Sequence, residues 1–195
     1  MSDLNTRRGS IVVLTAPSGS GKTTIARRVL EAVPEMRFSV SATTRPPRPN
    51  ERDGIDYHFM SVDEFRRRVR KGDLLEYEEV YPDRFYGTLR SEVETATPEK
   101  PVMLDVDVKG ALSVKRIFGD RALVIFIRPP SIEALEERLR LRGTESAETL
   151  RQRLDRATVE LGYEKEFDAV VVNDDVEKAV SETLRIVRSF LETGR

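Results

Sequence analysis

Short apolar runs alternate along this chain with longer segments in which apolar residues recur at helical spacing. Ile11–Thr15 is rich in β-branched residues and stops before Pro17, which is typical of a fully buried strand. From Lys22 to Val33 the apolar side chains follow a helical period. Alternation of this kind predicts an α/β fold with a parallel sheet between two layers of helices. The remaining predicted strands are 102–106, 122–127 and 169–172, and the remaining predicted helices are 109–118, 131–142, 147–162 and 176–192.

Residues 37–90 interrupt this alternation. Three prolines within Ala42–Gly54 exclude a helix there, because each proline restricts its own backbone and the residue before it. Ser61 and Glu64 form a capping box, which predicts a helix that continues to about residue 71. The interruption therefore indicates a small α+β insertion in the parallel sheet. The strands predicted in this insertion are Asp56–Phe59 and Leu74–Val80.

The clearest motif is Ala16-Pro-Ser-Gly-Ser-Gly-Lys22-Thr23, between the first strand and the first helix. Its glycines allow backbone N–H groups to surround an anion, and the helix adds its positive N-terminal end. We expect Lys22 to reach the β- and γ-phosphates of a nucleoside triphosphate and Thr23 to hold Mg²⁺. Ala16 replaces the usual first glycine, which the loop tolerates if that residue is not left-handed. The motif alone does not separate GTPases, ATPases and kinases.

A second candidate phosphate site lies in the insertion. Arg45 and Arg48 are three residues apart on a stiff, proline-rich segment, and the hydroxyl groups of Ser41 and Tyr57 are close in sequence. Two guanidinium groups and two hydroxyl groups suit a phosphate monoester. A solvated basic loop explains the same residues equally well.

Together these motifs resemble guanylate kinase, in the order of that family and along almost the whole chain. The resemblance rests on the phosphate loop, on the Ser41-x-x-Thr-Arg45-x-x-Arg48 segment with Glu51, Gly54 and Tyr57, on Phe85-Tyr86-Gly87 and on Asp105-Val106-Asp107. It implies a P-loop core (1–36, 91–129 and 163–195), an inserted GMP-binding region (37–90) and a helical lid (130–162). It also implies direct transfer of the γ-phosphoryl group of Mg·ATP to GMP or dGMP, giving ADP and GDP or dGDP.

Matching positions carry the family's site residues onto this chain. The residues implied to bind ATP are Ala16, Pro17, Ser18, Gly19, Ser20, Gly21, Lys22, Thr23, Thr24 and Asn173. Those implied to bind GMP are Ser41, Arg45, Arg48, Glu51, Tyr57, Glu76, Tyr86, Gly87, Thr88 and Asp107. The implied catalytic residues are Lys22, Arg45, Arg138, Arg142 and Arg153, and the implied Mg²⁺ ligands are Thr23 and Asp105, directly or through water.

Some of these residues have an alternative structural explanation. Asn173 is equally suited to cap the last helix together with Asp174 and Asp175, and Asp105 and Asp107 are equally suited to cap the helix that follows them. Arg-rich helices are usually solvated faces paired with glutamates. Base reading nevertheless has a physical rationale, because guanine presents adjacent N1–H and 2-amino donors and a carboxylate only accepts.

Composition narrows the function classes further. The 33 basic and 34 acidic residues give a net charge of −1, which argues against a nucleic-acid coat or a polybasic membrane surface. There is no cysteine and no long apolar run, so we expect a cytoplasmic protein without a Cys-based metal site. Alternatives are a ribose-bisphosphate phosphokinase and a non-catalytic guanylate-kinase-like binding module. A GTPase would need an Asn-Lys-x-Asp motif, which this sequence lacks.

The sequence departs from the family pattern at one place. Residues 81–84, Tyr-Pro-Asp-Arg, stand where the family usually has a short Gly-Asn-type turn. Phe85 replaces the first tyrosine of the following Tyr-Tyr-Gly. The loss of that hydroxyl affects the expected contacts of the GMP loop.

Overall fold

A five-stranded parallel sheet lies at the centre of the protein, in the order β2-β7-β1-β8-β9. The structure, a computed structural model, describes residues 9–141 and 147–193. The strands of this sheet are β1 (Ile11–Thr15), β2 (Arg37–Phe38), β7 (Val102–Asp105), β8 (Ala122–Arg128) and β9 (Ala169–Val172). The helices are α1 (Lys22–Ala32), α2 (Val62–Lys71), α3 (Arg90–Val93), α4 (Val108–Phe118), α5 (Ile132–Leu141), α6 (Ala147–Leu161) and α7 (Val176–Thr193).

The central strand β1 is buried on both faces, which explains its unbroken apolar sequence. Val12 and Leu14 belong to a core cluster with residues of α1 and α7. Ile11 and Val13 belong to a second cluster, which contains residues of α4. Successive side chains of a strand point to opposite faces, so the two clusters are the two faces of one sheet. The predicted three-layer α/β/α core is confirmed.

The inserted region contains its own four-stranded sheet, in the order β4-β3-β6-β5. The helix α2 begins as predicted, because the Ser61 hydroxyl accepts a hydrogen bond from the Glu64 N–H. Phe65 of α2 is fully buried and its ring stacks on Phe85 at 5.2 Å between centroids. The strands are β3 (Ala42–Thr43), β4 (His58–Phe59), β5 (Leu74–Tyr81) and β6 (Arg84–Leu89).

Two sequence predictions in this region need correction. The strand predicted at Asp56–Phe59 is only the two-residue β4, because Asp56 belongs to a turn. The inserted region was expected to begin at residue 37. Arg37–Phe38 instead pairs with β7 in the parallel sheet, so the first strand of the inserted sheet is β3. The strand β6 was not predicted, and it follows β5 through a two-residue turn.

Residues 81–84, where the sequence departs from the family pattern, include the turn between β5 and β6. Tyr81 pairs with Arg84, which leaves Pro82 and Asp83 as the two turn residues. Proline fixes a negative φ, and Asp83 takes a φ of 60°, so the two residues have the φ signs of a type II turn. The side chain of Glu79 accepts a hydrogen bond from the Asp83 N–H at 2.9 Å and stabilises the turn.

The helices α5 and α6 form the region predicted as a lid. Leu135 and Leu139 of α5 pack with Leu150 and Ala157 of α6 in a separate small core. Arg142, one of the expected catalytic arginines, lies outside the described residues. Within the described ranges, none of the helices is both long enough and apolar enough to cross a membrane.

The aromatic core of the inserted region predicts a large loss of stability in Phe65→Ala. Removal of a fully buried aromatic ring leaves a cavity, which typically lowers the free energy of unfolding by about 3–5 kcal/mol. Urea unfolding measures this change, and Ile117→Ala, at a half-exposed site on α4, is the matched control. Equal effects of the two substitutions would contradict a packed core around Phe65.

Candidate active site

The phosphate loop joins β1 to α1 at the carboxyl edge of the parallel sheet. Gly19 and Gly21 have φ values of 96° and 87°, which residues with a Cβ rarely adopt. A Cβ at Gly21 would also lie 2.3 Å from Nδ2 of Asn173. Ala16 is buried and has a negative φ, so its Cβ costs no backbone strain. The loop therefore meets the condition under which alanine is tolerated at its first position.

Asn173 supports the phosphate loop from the carboxyl end of β9. Its side-chain Nδ2 donates a 2.7 Å hydrogen bond to the Ser20 carbonyl, and the residue is 5% exposed. Its own carbonyl accepts a hydrogen bond from Arg138 at 2.9 Å. The cap of α7 is Asp175, whose Oδ1 accepts from the Lys178 N–H at 3.0 Å. The alternative in which Asn173 caps the last helix is therefore wrong.

Lys22 extends from the start of α1 to the end of β7. Its Nζ lies 2.5 Å from Oδ1 of Asp105 and donates a 2.9 Å hydrogen bond to the carbonyl of Val106. Thr23, the next residue, is exposed and lines the same cavity. Because β7 and β1 are parallel neighbours, the loop and Asp105 lie at the same edge of the sheet. A cation, a hydroxyl and a carboxylate thus face one cavity.

Arg45 in the inserted region is held by Glu51. The two side chains form paired hydrogen bonds of 2.6 Å and 2.5 Å, and the bond from Arg45 lowers the pKa of Glu51 to about 2. The Arg45 guanidinium carbon lies 4.9 Å from the centroid of the Tyr57 ring. Tyr57 in turn contacts Tyr86 edge to face at 6.1 Å. Glu51 and these aromatic rings therefore orient Arg45.

Arg48 also contacts Glu51, the partner of Arg45. Arg48 is exposed, and its backbone N–H donates a 2.7 Å hydrogen bond to Oε2 of Glu51. Arg48 thus supports Glu51, which orients Arg45. Ser41, Tyr57 and Tyr86 do line one cavity.

The residues expected to read guanine converge around Gly110. Oε1 of Glu76 accepts a 2.6 Å hydrogen bond from the Thr88 hydroxyl, and burial raises the pKa of Glu76. Oδ1 of Asp107 accepts a 2.8 Å hydrogen bond from the Gly110 N–H and caps α4. A Cβ at Gly110 would lie 3.0 Å from Glu76 and 3.2 Å from Asp107. Asp107 therefore both caps the helix and lines the cavity.

Gly87 of β6 lies very close to the neighbouring strand β5. A Cβ there would lie 2.7 Å from the carbonyl oxygen of Glu76 and 2.9 Å from Cβ of Tyr77. Glycine is therefore required by space where β6 pairs with β5. Its neighbour Thr88 lies opposite Glu76, and its neighbour Tyr86 lies opposite Glu78.

The lid contributes two of its three expected arginines within the described residues. Arg138 contacts the carbonyl of Asn173, as described above, and Nη1 of Arg153 lies 3.4 Å from the Ser18 hydroxyl. Arg142 lies outside the described residues. A Cβ at Gly19 would lie 2.9 Å from Cδ2 of Leu139, so the phosphate loop packs closely on α5.

Sequence reasoning missed two residues of this site, Glu78 and Arg156. Nη2 of Arg156 lies 3.3 Å from Oε2 of Glu78 and 3.3 Å from Oδ2 of Asp107. A hydrogen bond with Asp107 raises the pKa of Glu78. Glu78 shares a strand face with Glu76 two residues earlier, a signal that the sequence did contain. Arg156 had no comparable local signal.

The phosphate loop, the end of β7 and α6 line one cavity of about 800 Å³, a size suited to small-molecule ligands. A smaller cavity of about 340 Å³ adjoins it and shares several lining residues with it. The larger cavity is lined by the whole phosphate loop from Ala16 to Thr24 and by Asp105, Asp107, Arg153 and Arg156. The smaller cavity is lined on its far side by Glu76, Glu78, Tyr86 and Gly87.

The phosphate loop follows a central parallel strand, and the smaller cavity lies beside it. These features define a P-loop nucleotide-binding protein. A family model described as guanylate kinase matches residues 8–190, and the chain belongs to the guanylate kinase family. A guanylate kinase from Salinibacter ruber is 65% identical over 94% of this chain and 98% of that protein. One from Porphyromonas gingivalis is 49% identical over 93% and 97%.

Solved structures agree with this assignment. The crystal structure of guanylate kinase from Anaplasma phagocytophilum superposes with a TM-score of 0.77 at 32% identity, over 96% of this chain and 89% of that chain. A shikimate kinase from Bacteroides thetaiotaomicron superposes with a TM-score of 0.54 at 13% identity, over 94% of this chain and 98% of that chain. At that identity the second likeness shows the fold alone.

The buried contact of Asn173 predicts that Asn173→Asp damages the phosphate loop. The new carboxylate would face the Ser20 carbonyl with no donor, and a buried mismatch of this kind costs about 1–3 kcal/mol. We expect a lower free energy of unfolding and a weaker affinity for Mg·ATP, measured by urea unfolding and calorimetry. Asp174→Asn, at the exposed neighbouring position, is the control, and equal affinities in the two variants would count against this role of Asn173.

Proposed function

We propose that this protein transfers the γ-phosphoryl group of ATP directly to GMP or dGMP. The observation that carries the proposal is that the phosphate loop and the half-buried carboxylates of Glu76 and Asp107 line adjoining cavities. A donor triphosphate on the loop and an acceptor nucleotide on the carboxylates would then meet between them. Family membership supports the same reaction.

The acceptor side suits guanine better than adenine. Glu76 and Asp107 present carboxylate oxygens, which accept hydrogen bonds from the N1–H and the 2-amino group of guanine. Adenine lacks this pair of donors, so AMP would offer these carboxylates no hydrogen bond in place of the water it displaces, and such mismatches discriminate strongly. Ser41, Arg45, Tyr57 and Tyr86 lie on the side of the phosphate monoester in this proposal. Arg48 is also proposed to bind this phosphate, and its backbone N–H contacts the Glu51 carboxylate.

The donor side supplies cations for the charge of the transferring group. Lys22 lies at the cavity wall, and Arg153 contacts Ser18 of the phosphate loop. Phosphoryl transfer depends mainly on positioning and on electrostatic stabilisation of the equatorial oxygens. The proposal includes no general base, because the phosphate of GMP is already an ionised nucleophile at neutral pH. Closure of the lid arginines over the cavity would also exclude water from the reacting phosphates.

The site fits Mg²⁺ as the proposed cofactor. The hydroxyl of Thr23 and the carboxylate of Asp105 are the hard oxygen donors that this ion prefers, and both line the larger cavity. Across the described ranges, no cluster of three or more His, Cys, Asp or Glu side chains encloses a metal ion. Mg²⁺ characteristically takes its remaining ligands from substrate phosphates and water. When bound, it would neutralise phosphate charge. The cytoplasmic location stays a prediction of the sequence.

The alternative functions fit this site less well. A ribose-bisphosphate kinase would use the phosphate loop but has no use for a base-reading carboxylate such as Glu76. A binding module has no need of Lys22 or of the two glycines with positive φ, Gly19 and Gly21.

The direct test is ADP formation by the purified protein with Mg·ATP and one acceptor at a time. The acceptors are GMP, dGMP, AMP, CMP, UMP and ribose 1,5-bisphosphate. We expect rapid turnover with GMP and dGMP, and we expect Lys22→Met to lower it by at least about a hundredfold because a cation at the phosphoryl group is lost. Turnover with a different acceptor, or none with any acceptor in folded protein, would overturn the proposal.

Glu76→Gln tests base recognition separately from chemistry. A glutamine at this position presents one donor group, so guanine loses part of its match. We expect the ratio of kcat/KM for GMP to that for AMP to fall by about a hundredfold. Glu79→Gln is the control on the same strand, because glutamine keeps an oxygen for the Asp83 N–H. An unchanged ratio in Glu76→Gln would remove Glu76 from the base-reading site.

A further inference from the structure

Arg156 extends from α6 across the cavity to carboxylates on two other elements. Its Nη2 contacts Glu78 on β5 and Asp107 at the start of α4, each at 3.3 Å. Its Nε donates a 2.8 Å hydrogen bond to Glu160, one turn further along α6. One guanidinium group thus links α6 to Glu78 and Asp107, two residues that line the smaller cavity.

The same face of α6 also contacts the phosphate loop. Arg153 and Arg156 are three residues apart on a helix and therefore lie on one face. Arg153 reaches Ser18 of the phosphate loop at 3.4 Å, while Arg156 reaches Glu78 and Asp107. One helical turn of the lid therefore contacts both the donor side and the acceptor side of the cavity.

The two oxygens of Asp107 have separate partners. Oδ1 accepts the hydrogen bond from the Gly110 N–H that caps α4, and Oδ2 faces Arg156. A carboxylate oxygen has two lone pairs, so Oδ2 still has room for a donor from a bound base. Glu78 and Asp107 are also like charges side by side, and the guanidinium between them offsets their repulsion.

We propose that Arg156 is a positioning residue of the acceptor site, which binds Glu78 and Asp107 together and fixes the Asp107 carboxylate towards the cavity. This inference rests on the proposed function, because the orientation of Asp107 matters for turnover only if Asp107 reads the acceptor base. Arg156 acts through these side chains and needs no contact with the reacting atoms.

The size of the expected effect follows from exposure. The side chains of Arg156, Glu78 and Asp107 are 47%, 28% and 26% exposed, so each ion pair is partly screened by solvent. A three-carboxylate network around one guanidinium is stronger than a single exposed pair. We therefore expect an effect of about tenfold on the binding of GMP, well below the loss expected when a phosphate-binding cation is removed.

The test compares Arg156→Met with Arg156→Lys. Methionine keeps much of the aliphatic length without the charge, whereas lysine keeps the charge without the fork. We expect a KM for GMP about tenfold higher in Arg156→Met, a KM for ATP changed less than about twofold, and recovery to within about threefold in Arg156→Lys. Arg151→Met, on the same helix with its side chain 84% exposed, is the matched control and should be unchanged.

A double-mutant cycle with Glu78→Gln tests the contact from its other side, where the lid helix is left intact. If the contact matters, the KM for GMP rises less when Arg156→Met is added to Glu78→Gln than when it is made in the parent protein. Independent, additive losses in KM would overturn the proposal, as would a normal KM for GMP in Arg156→Met. If the parent protein turned over no GMP, the proposed function would fail first and this inference with it. GMP turnover by the parent with unaffected variants would remove the role of Arg156 alone.

Discussion

The parallel pairing of β1 with β7 and β8 is the constraint on which the rest of the structure depends. Parallel strands end at the same edge of a sheet, and neighbouring strands lie about 4.8 Å apart. β1 therefore delivers the phosphate loop, β7 delivers Asp105, and β8 leads into the lid, all within the width of three strands. β1 is buried on both faces, so packing from both helical layers holds the strand that carries the phosphate loop.

A site that contains carboxylates and binds two anionic substrates needs cations placed between these negative charges. Here Lys22 pairs with Asp105 next to the phosphate loop, and Arg45 pairs with Glu51 in the inserted region. Each cation thus has a carboxylate that orients it and partly neutralises it. The ion pairs are as much a device for positioning as for binding, because a held guanidinium loses less conformational entropy when it meets a phosphate.

The sequence predicted what is encoded locally and missed what depends on distant partners. The periodic helices and the phosphate loop carry their signals within one segment, so their positions were confirmed. β2 and β3 have two residues each, too few to show a period, and they exist because of their hydrogen-bonded neighbours. The same reason applies to Arg156, which contacts residues 49 and 78 positions away, and to Asn173, which contacts Ser20 across 153 positions.

The two lid helices are attached to the site by different forces. α5 packs fully buried leucines, Leu135 and Leu139, against Gly19, so apolar burial holds it to the phosphate loop. α6 packs on α5 and reaches the acceptor side through the half-exposed Arg156. Ion pairs of this kind weaken as salt rises, whereas apolar burial does not. Apolar packing therefore joins α5 and α6 to each other, whereas the contact of α6 with Glu78 and Asp107 is the part that salt weakens.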